Sequence, residues 1–240
     1  MELTLQLCGT AALAALYVSA VLRVRRRGRS VSRRRSAAFA AGIAILVAAF
    51  VAPLEHQFAT HMLQHLLIGD LAPLCFVLGV DGPLLRPLLA LRPVQRLRVL
   101  AHPLVALPLW AVNLVCWHLP VLYDAALRHG DVHALQHASF FACGTLLWAA
   151  LLEPLPGPRW FTPPRKFLYV GGMWLVNLGL SQFFLWARAP LYTGYSLADQ
   201  RAGGGVMLFE GSAVMIGVVV WLLFRVLGER SYGAPMTPTL

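Results

Sequence analysis

The sequence predicts an all-α, polytopic membrane protein, a seven-transmembrane-helix bundle that forms a single integral membrane domain over residues 1–240. Three observations predict it. Hydrophobic residues make up 58% of the chain and charged residues 12%, against about 25% charged in an ordinary soluble domain. The apolar residues gather in runs long enough to cross a bilayer, which takes roughly 20 residues each. The basic residues gather in alternate loops between those runs, as the positive-inside rule requires. A net charge of +10 would point to nucleic acid in a soluble protein. Here the lipid bilayer accounts for it, and no nucleic-acid partner is expected.

The helices follow in order. Helix 1 covers about residues 3–22; its charges come after the apolar run and no small-residue cleavage site is evident, so it reads as a retained span and not a signal peptide. Eight arginines between Arg23 and Arg35 follow. Helix 2 covers about 36–54, ended by Pro53 and Glu55, and a short turn carries His56. Helix 3 covers about 60–78. The next loop holds Arg86, Arg92, Arg96 and Arg98, with Pro83, Pro87 and Pro93 breaking any long helix. Helix 4 covers about 103–117 and is followed by a loop through Asp124 and Arg128 to Asp131. Helix 5 covers about 132–152. A proline-rich turn with Arg159, Arg165 and Lys166 leads to helix 6, about 167–187. A loop with Tyr192, Tyr195 and Asp199 leads to helix 7, about 203–227, and a polar tail ends the chain.

All of the 20 lysines and arginines except Arg128, Arg188 and Arg201 fall in one set of alternate loops. The asymmetry places the N-terminus outside and the C-terminus in the cytoplasm. It also sorts the histidines. His56, His61, His65, His118, His129, His133 and His137 lie at the outer side, and His102 alone at the cytoplasmic side.

Two outer segments share one signature: His61-Met62-Leu63-Gln64-His65 and His133-Ala134-Leu135-Gln136-His137. Histidines four apart lie on one helix face, about 6 Å apart along its axis. Neutral imidazole is a common ligand for copper, zinc, iron and nickel. One such pair on each of two helices at one depth completes a four-ligand site or two linked sites. The competing reading, an interfacial side chain meeting headgroups, is kept for His56 and His129. Met62 lies beside His61, and Met207 near the outer start of helix 7. A thioether suits Cu(I), although packing is the ordinary work of a methionine.

The acidic residues divide. Asp70 points about 180° from His61 and about 140° from His65 on an ideal helix, so an interhelical hydrogen bond is expected of it rather than a share in their ion. Glu210 reads as an outer-shell carboxylate, a proton acceptor or an interhelical hydrogen bond. Asp124 and Asp199 are either solvated or orient a histidine. Asn113, Asn177 and Gln182 are expected to make polar contacts between helices, and Gly171-Gly172 and Gly203-Gly204-Gly205 to allow close helix approach. Cys8, Cys75, Cys116 and Cys143 form no CxxC, so neither a disulfide framework nor a zinc ribbon is expected. A zincin needs Glu directly after its first His, where Met62 and Ala134 stand. No Gly-x-Ser-x-Gly elbow and no phosphate-binding loop appears.

These residues, in this order, resemble a known family. The matching pieces are His61 to His65, Ala72-Pro73-Leu74, Leu78-Gly79, Trp117-His118-Leu119-Pro120, Leu122 to Leu127, His133 to His137, Asp199-Gln200, Gly203 and Met207. The sequence is similar over roughly residues 55–225 to the bacterial cytochrome c oxidase assembly factors of the CtaG type, associated with caa(3) oxidases. The resemblance implies a multi-pass protein of the bacterial inner membrane that matures a haem-copper oxidase by handling a copper ion. It implies a haem-copper oxidase subunit and a periplasmic copper donor as partners. It puts the metal role on His61, His65, His133 and His137, with His118, Asp124 and Met62 as further candidates, and expects no enzymatic activity. The alternative is a seven-helix membrane hydrolase whose histidines hold catalytic zinc, with Asp124 or Glu210 as base.

Overall fold

A computed structural model describes residues 2–52 and 54–232, and no strand occurs among them. The chain is helical because its apolar runs leave backbone polar groups no water to bond in a bilayer, so each run satisfies its own. In chain order the helices are α1 (Glu2–Arg26), α2 (Arg33–Val51), α3 (Phe58–Leu66), α4 (Ala72–Gly79), α5 (Gly82–Leu89), α6 (Arg92–Leu97), α7 (Pro103–Trp117), α8 (Pro120–Arg128), α9 (Gly130–Leu152), α10 (Pro163–Leu185) and α11 (Leu197–Tyr232). A π-helical turn, Leu67–Leu71, joins α3 to α4, so Phe58–Gly79 is one continuous span.

Six helical segments are long and apolar enough to cross a membrane. A seventh span exists only if the pair Val94–Ala101 and Pro103–Trp117, bent by 80°, counts as one. The fourth helix of the sequence reading is therefore the irregular one. Its 15 residues rise about 22 Å, short of a hydrocarbon core of about 30 Å. The two stretches read as loops around it are largely helical, α5 and α6 before it and α8 after it. The reason is proline position. Pro83, Pro103, Pro120 and Pro163 each stand in the first turn of a helix, where the missing N–H is lost at no cost and the fixed φ starts the helix instead of breaking it. Helix 2 ends at Val51; Pro53 and residues 233–240 of the polar tail lie outside the described residues.

Two spans form the centre. Half of the best apolar stretch of Phe58–Gly79, and half of that of Gly130–Leu152, is buried inside the protein, against 6% for α1. α9 packs against α4 and the π turn on one side and α7 on the other, while α11 packs against both α10 and α3. The crossing of the π turn and α9 is close because two glycines meet there. A Cβ on Gly144 would fall far inside van der Waals contact with the Gly69 carbonyl oxygen, and one on Gly69 would lie 3.1 Å from the Phe140 Cβ. Among the glycines singled out from the sequence, Gly203 faces Phe58 and Gly204 faces Phe184, whereas Gly171 and Gly205 face open space.

The interhelical polar bonds are partly as expected. Trp148 Nε1 of α9 donates to Asp70 Oδ1 at 2.7 Å, and Asn177 Nδ2 of α10 donates to the Met207 carbonyl of α11 at 3.1 Å. Gln182 instead accepts from Trp186 Nε1 one turn along the same chain segment, at 2.7 Å. Asp70 thus makes the interhelical bond expected of it and stands outside the group of converging histidines, although it and His65 line one cavity.

Candidate metal centre

The two His-x-Leu-Gln-His segments lie side by side, one on α3 and one on the first turns of α9. Ring centroids are 4.3 Å apart for His61 and His65, 4.1 Å for His133 and His137, 5.3 Å for His61 and His133, and 5.4 Å for His65 and His137. The four rings make a quadrilateral whose edges alternate within and between helices. One ligand nitrogen from each lies within 4.8 Å of every other. None of the four residues is more than 7% exposed, which removes the headgroup-facing reading for these histidines. His56 and His129 are exposed.

Their outward nitrogens are held. Tyr123 Oη lies 3.0 Å from His61 Nδ1. Glu2 Oε1 lies 2.9 Å from His133 Nδ1, which places a proton on that nitrogen and leaves Nε2 bare. Gln6 Nε2 lies 3.0 Å from His137 Nδ1 and donates to Glu2 Oε1 at 2.8 Å. The one Gln6 NH2 group serves both, so it donates to His137 Nδ1 and the ring proton stands on Nε2, to be given up when an ion binds there. Burial holds the Tyr123 phenol well above its ordinary pKa, with Tyr195, Tyr192 and Asp199 adding to the shift. It is a neutral hydroxyl, able to donate to His61 or to accept from it.

The inward nitrogens converge. His61 Nε2 and His133 Nε2 are 3.2 Å apart. Four nitrogens about 2.0 Å from a tetrahedral ion stand about 3.3 Å from one another, so this edge already fits. The widest separation, at most 4.8 Å, closes to that spacing when each of the two rings shifts by about 0.7 Å. Both ring nitrogens of His65, and His137 Nε2, are buried without a hydrogen-bond partner among the described residues. Leaving such a group unsatisfied costs about 1–3 kcal/mol, and a shared cation removes that cost. The donor set suits copper or zinc by its imidazoles.

The other sequence candidates stand apart from this group. His118 Nδ1 donates to the Leu114 carbonyl at 2.7 Å, and its Nε2 is buried without a partner. Met62 packs with Phe58, Tyr123, Phe184, Tyr192 and Met207. Asp124 lies near Tyr192 and is not among the converging ligands. Sequence reasoning missed Glu2, Gln6 and Tyr123. A signal existed for the first two: Glu2, Gln6 and Thr10 form an i, i+4, i+8 polar stripe on an otherwise apolar helix, and Thr10 is buried.

The Asp199-Gln200 pair is explained by what it holds. Asp199 accepts from the backbone N–H groups of Phe58 at 2.7 Å and Ala59 at 3.1 Å, satisfying the free donors at the start of α3. Gln200 accepts from Leu191 N at 2.8 Å and donates to the carbonyls of Tyr192 and Tyr195. This fixes Tyr192, which stacks on Tyr123 at 3.9 Å and donates to the His118 carbonyl at 2.7 Å. The first turn of α11 thus seats α3, Tyr123 and His118 together.

Residues 15–229 match the family profile of the cytochrome c oxidase caa3 assembly factor. The chain belongs to that family. Among curated proteins it is similar to an uncharacterized protein of Mycobacterium bovis and one of Mycobacterium tuberculosis, each 26% identical over 241 residues. Those matches cover 86% of this chain and 36% of each relative, so the chain spans about a third of their length. No solved structure matches. The family match takes in α3, α9 and the Asp199-Gln200 pair of α11, but α1 only from residue 15, so Glu2 and Gln6 fall outside it. The protein is a multi-pass membrane protein of an oxidase assembly family.

Proposed function

We propose that this protein takes up a copper ion on His61, His65, His133 and His137 and hands it to a subunit of a haem-copper cytochrome c oxidase. It does so in the bacterial inner membrane, with the histidine end facing outward and a periplasmic donor supplying the copper. The ion is cargo and the role is not catalytic. The observation that carries the reading is His65. A fully buried imidazole with both nitrogens unpartnered, beside three more whose inner nitrogens converge, is expensive unless a cation visits. The oxidase as recipient rests on the family.

The centre suits transfer as well as binding. Imidazoles alone carry no charge, so the ion's charge is not neutralised by its ligands and release is not opposed by an ion pair. The zinc-hydrolase alternative requires a carboxylate base beside the ion. Asp124 and Glu210, the residues suggested for it, both lie outside the converging set. Elemental analysis of protein purified without added metal tests the reading. Copper is expected in the wild type and absent from a variant with His61, His65, His133 and His137 all changed to Ala. Equal copper in the two would overturn the assignment, and zinc with turnover of an ester or amide would favour the hydrolase.

A further inference from the structure

Beneath the four histidines lies an interior cavity of about 50 Å³. That volume holds an ion or a few waters and is far below the roughly 300 Å³ of a small-molecule site. Its lining has an unusual composition. The chain has six methionines, and Met62, Met173, Met207 and Met215, all those among the described residues, line this one cavity. They come from three elements, α3, α10 and α11. A methionine that merely packs closes a gap; these four surround a gap that stays open.

Imidazole nitrogen faces the same space. His118 lines the cavity and is only 6% exposed. Its Nδ1–H is committed to the Leu114 carbonyl, so its lone pair is on Nε2, which has no partner. His65 lines the cavity too while belonging to the four-histidine group. It is the wall the two sites share. Thioether sulfur with imidazole is a soft donor set that suits Cu(I) over Cu(II) or zinc. Asp70 and Glu210 also line the cavity, and a buried carboxyl group can give up its proton to balance an entering cation.

We propose that this cavity is a second copper site, specific for Cu(I), built from His118 Nε2 with the thioethers of Met62 and Met207. Met62 and Met207 belong to one packed cluster near the histidine end, whereas Met173 and Met215 belong to the deeper one. The upper pair are therefore the ligands placed to receive an ion from His65. The inference rests on the copper reading of the four histidines and adds where the ion goes next. No oxidation or reduction is involved: Cu(I) exchanges imidazoles of the upper site for one imidazole and two thioethers of the lower.

The test uses the full chain in detergent, loaded with Cu(I) under reductant against a chromophoric chelator, with stoichiometry and X-ray absorption as readouts. Wild type is expected to hold two Cu(I) per chain with sulfur as well as nitrogen scattering. The Met62→Leu/Met207→Leu variant, a near-isosteric change, is expected to hold one ion with nitrogen scattering only, with thermal unfolding unchanged. The quadruple His→Ala variant is expected to keep one ion with sulfur scattering. Wild-type copper showing nitrogen alone, unchanged in the Met→Leu variant, would overturn this site and leave the four-histidine reading standing. Full sulfur-ligated copper in the quadruple His→Ala variant at wild-type stoichiometry would overturn the four-histidine site instead. Wild type that binds no Cu(I) would overturn both.

Discussion

At the scale of single residues, the centre is a matter of which ring nitrogen is bare. Imidazole offers one lone pair, and whatever binds the opposite nitrogen decides where it points. Glu2 does this for His133, Gln6 for His137 and Tyr123 for His61. Partners of this kind typically govern metal affinity by about 10–100-fold. Glu2→Ala is accordingly expected to weaken copper binding by about that factor, read by chelator competition, with the fold intact because α1 is peripheral. Unchanged affinity would show that Glu2 does not set the His133 tautomer. The histidines themselves were legible in the chain because i, i+4 spacing is a local property. Glu2 is 131 positions from His133, and no local rule reports a partnership across that distance.

At the scale of helices, the decisive feature is how near the π turn after α3 comes to α9. Gly69 and Gly144 let the backbones touch, and the His61/His133 and His65/His137 edges lie along the same crossing. Gly144→Ala is expected to destabilise the protein by about 1–3 kcal/mol through overpacking and to empty the histidine centre while altering no ligand. Thermal unfolding and copper content of the purified variant check this; normal copper with a methyl group at 144 would mean the crossing does not set the centre. From the sequence such contacts are expected at the doublet Gly171-Gly172 and the triplet Gly203-Gly204-Gly205. Two single glycines on different helices give no such signal, since their meeting depends on the crossing. Proline misleads in the other direction: read as breakers, Pro83 and Pro120 sit in first helical turns.

At the scale of the whole molecule, the fold class and the long spans followed from composition and run length, which the bilayer constrains strongly. The irregular region from α5 to α8 did not, because its short helices are held by neighbours and not by a full apolar span. The orientation remains a consequence of arginine distribution, and it makes a direct prediction. In a background with Cys8, Cys75, Cys116 and Cys143 changed to Ser, Thr193→Cys is expected to react in intact cells with a membrane-impermeant thiol reagent. Ala90→Cys is expected to react only after lysis. The reverse pattern would place the histidine end in the cytoplasm and separate the centre from any periplasmic donor.

The paired glycines carry a lesson for protein engineers. Grafting the four histidines onto two neighbouring helices of another bundle copies the chemistry and omits the spacing. Side chains at the crossing would hold the helices apart, and the rings would face one another across a void no single ion can bridge. A successful transplant would have to import the bare backbone of Gly69 and Gly144 first, and the imidazoles second.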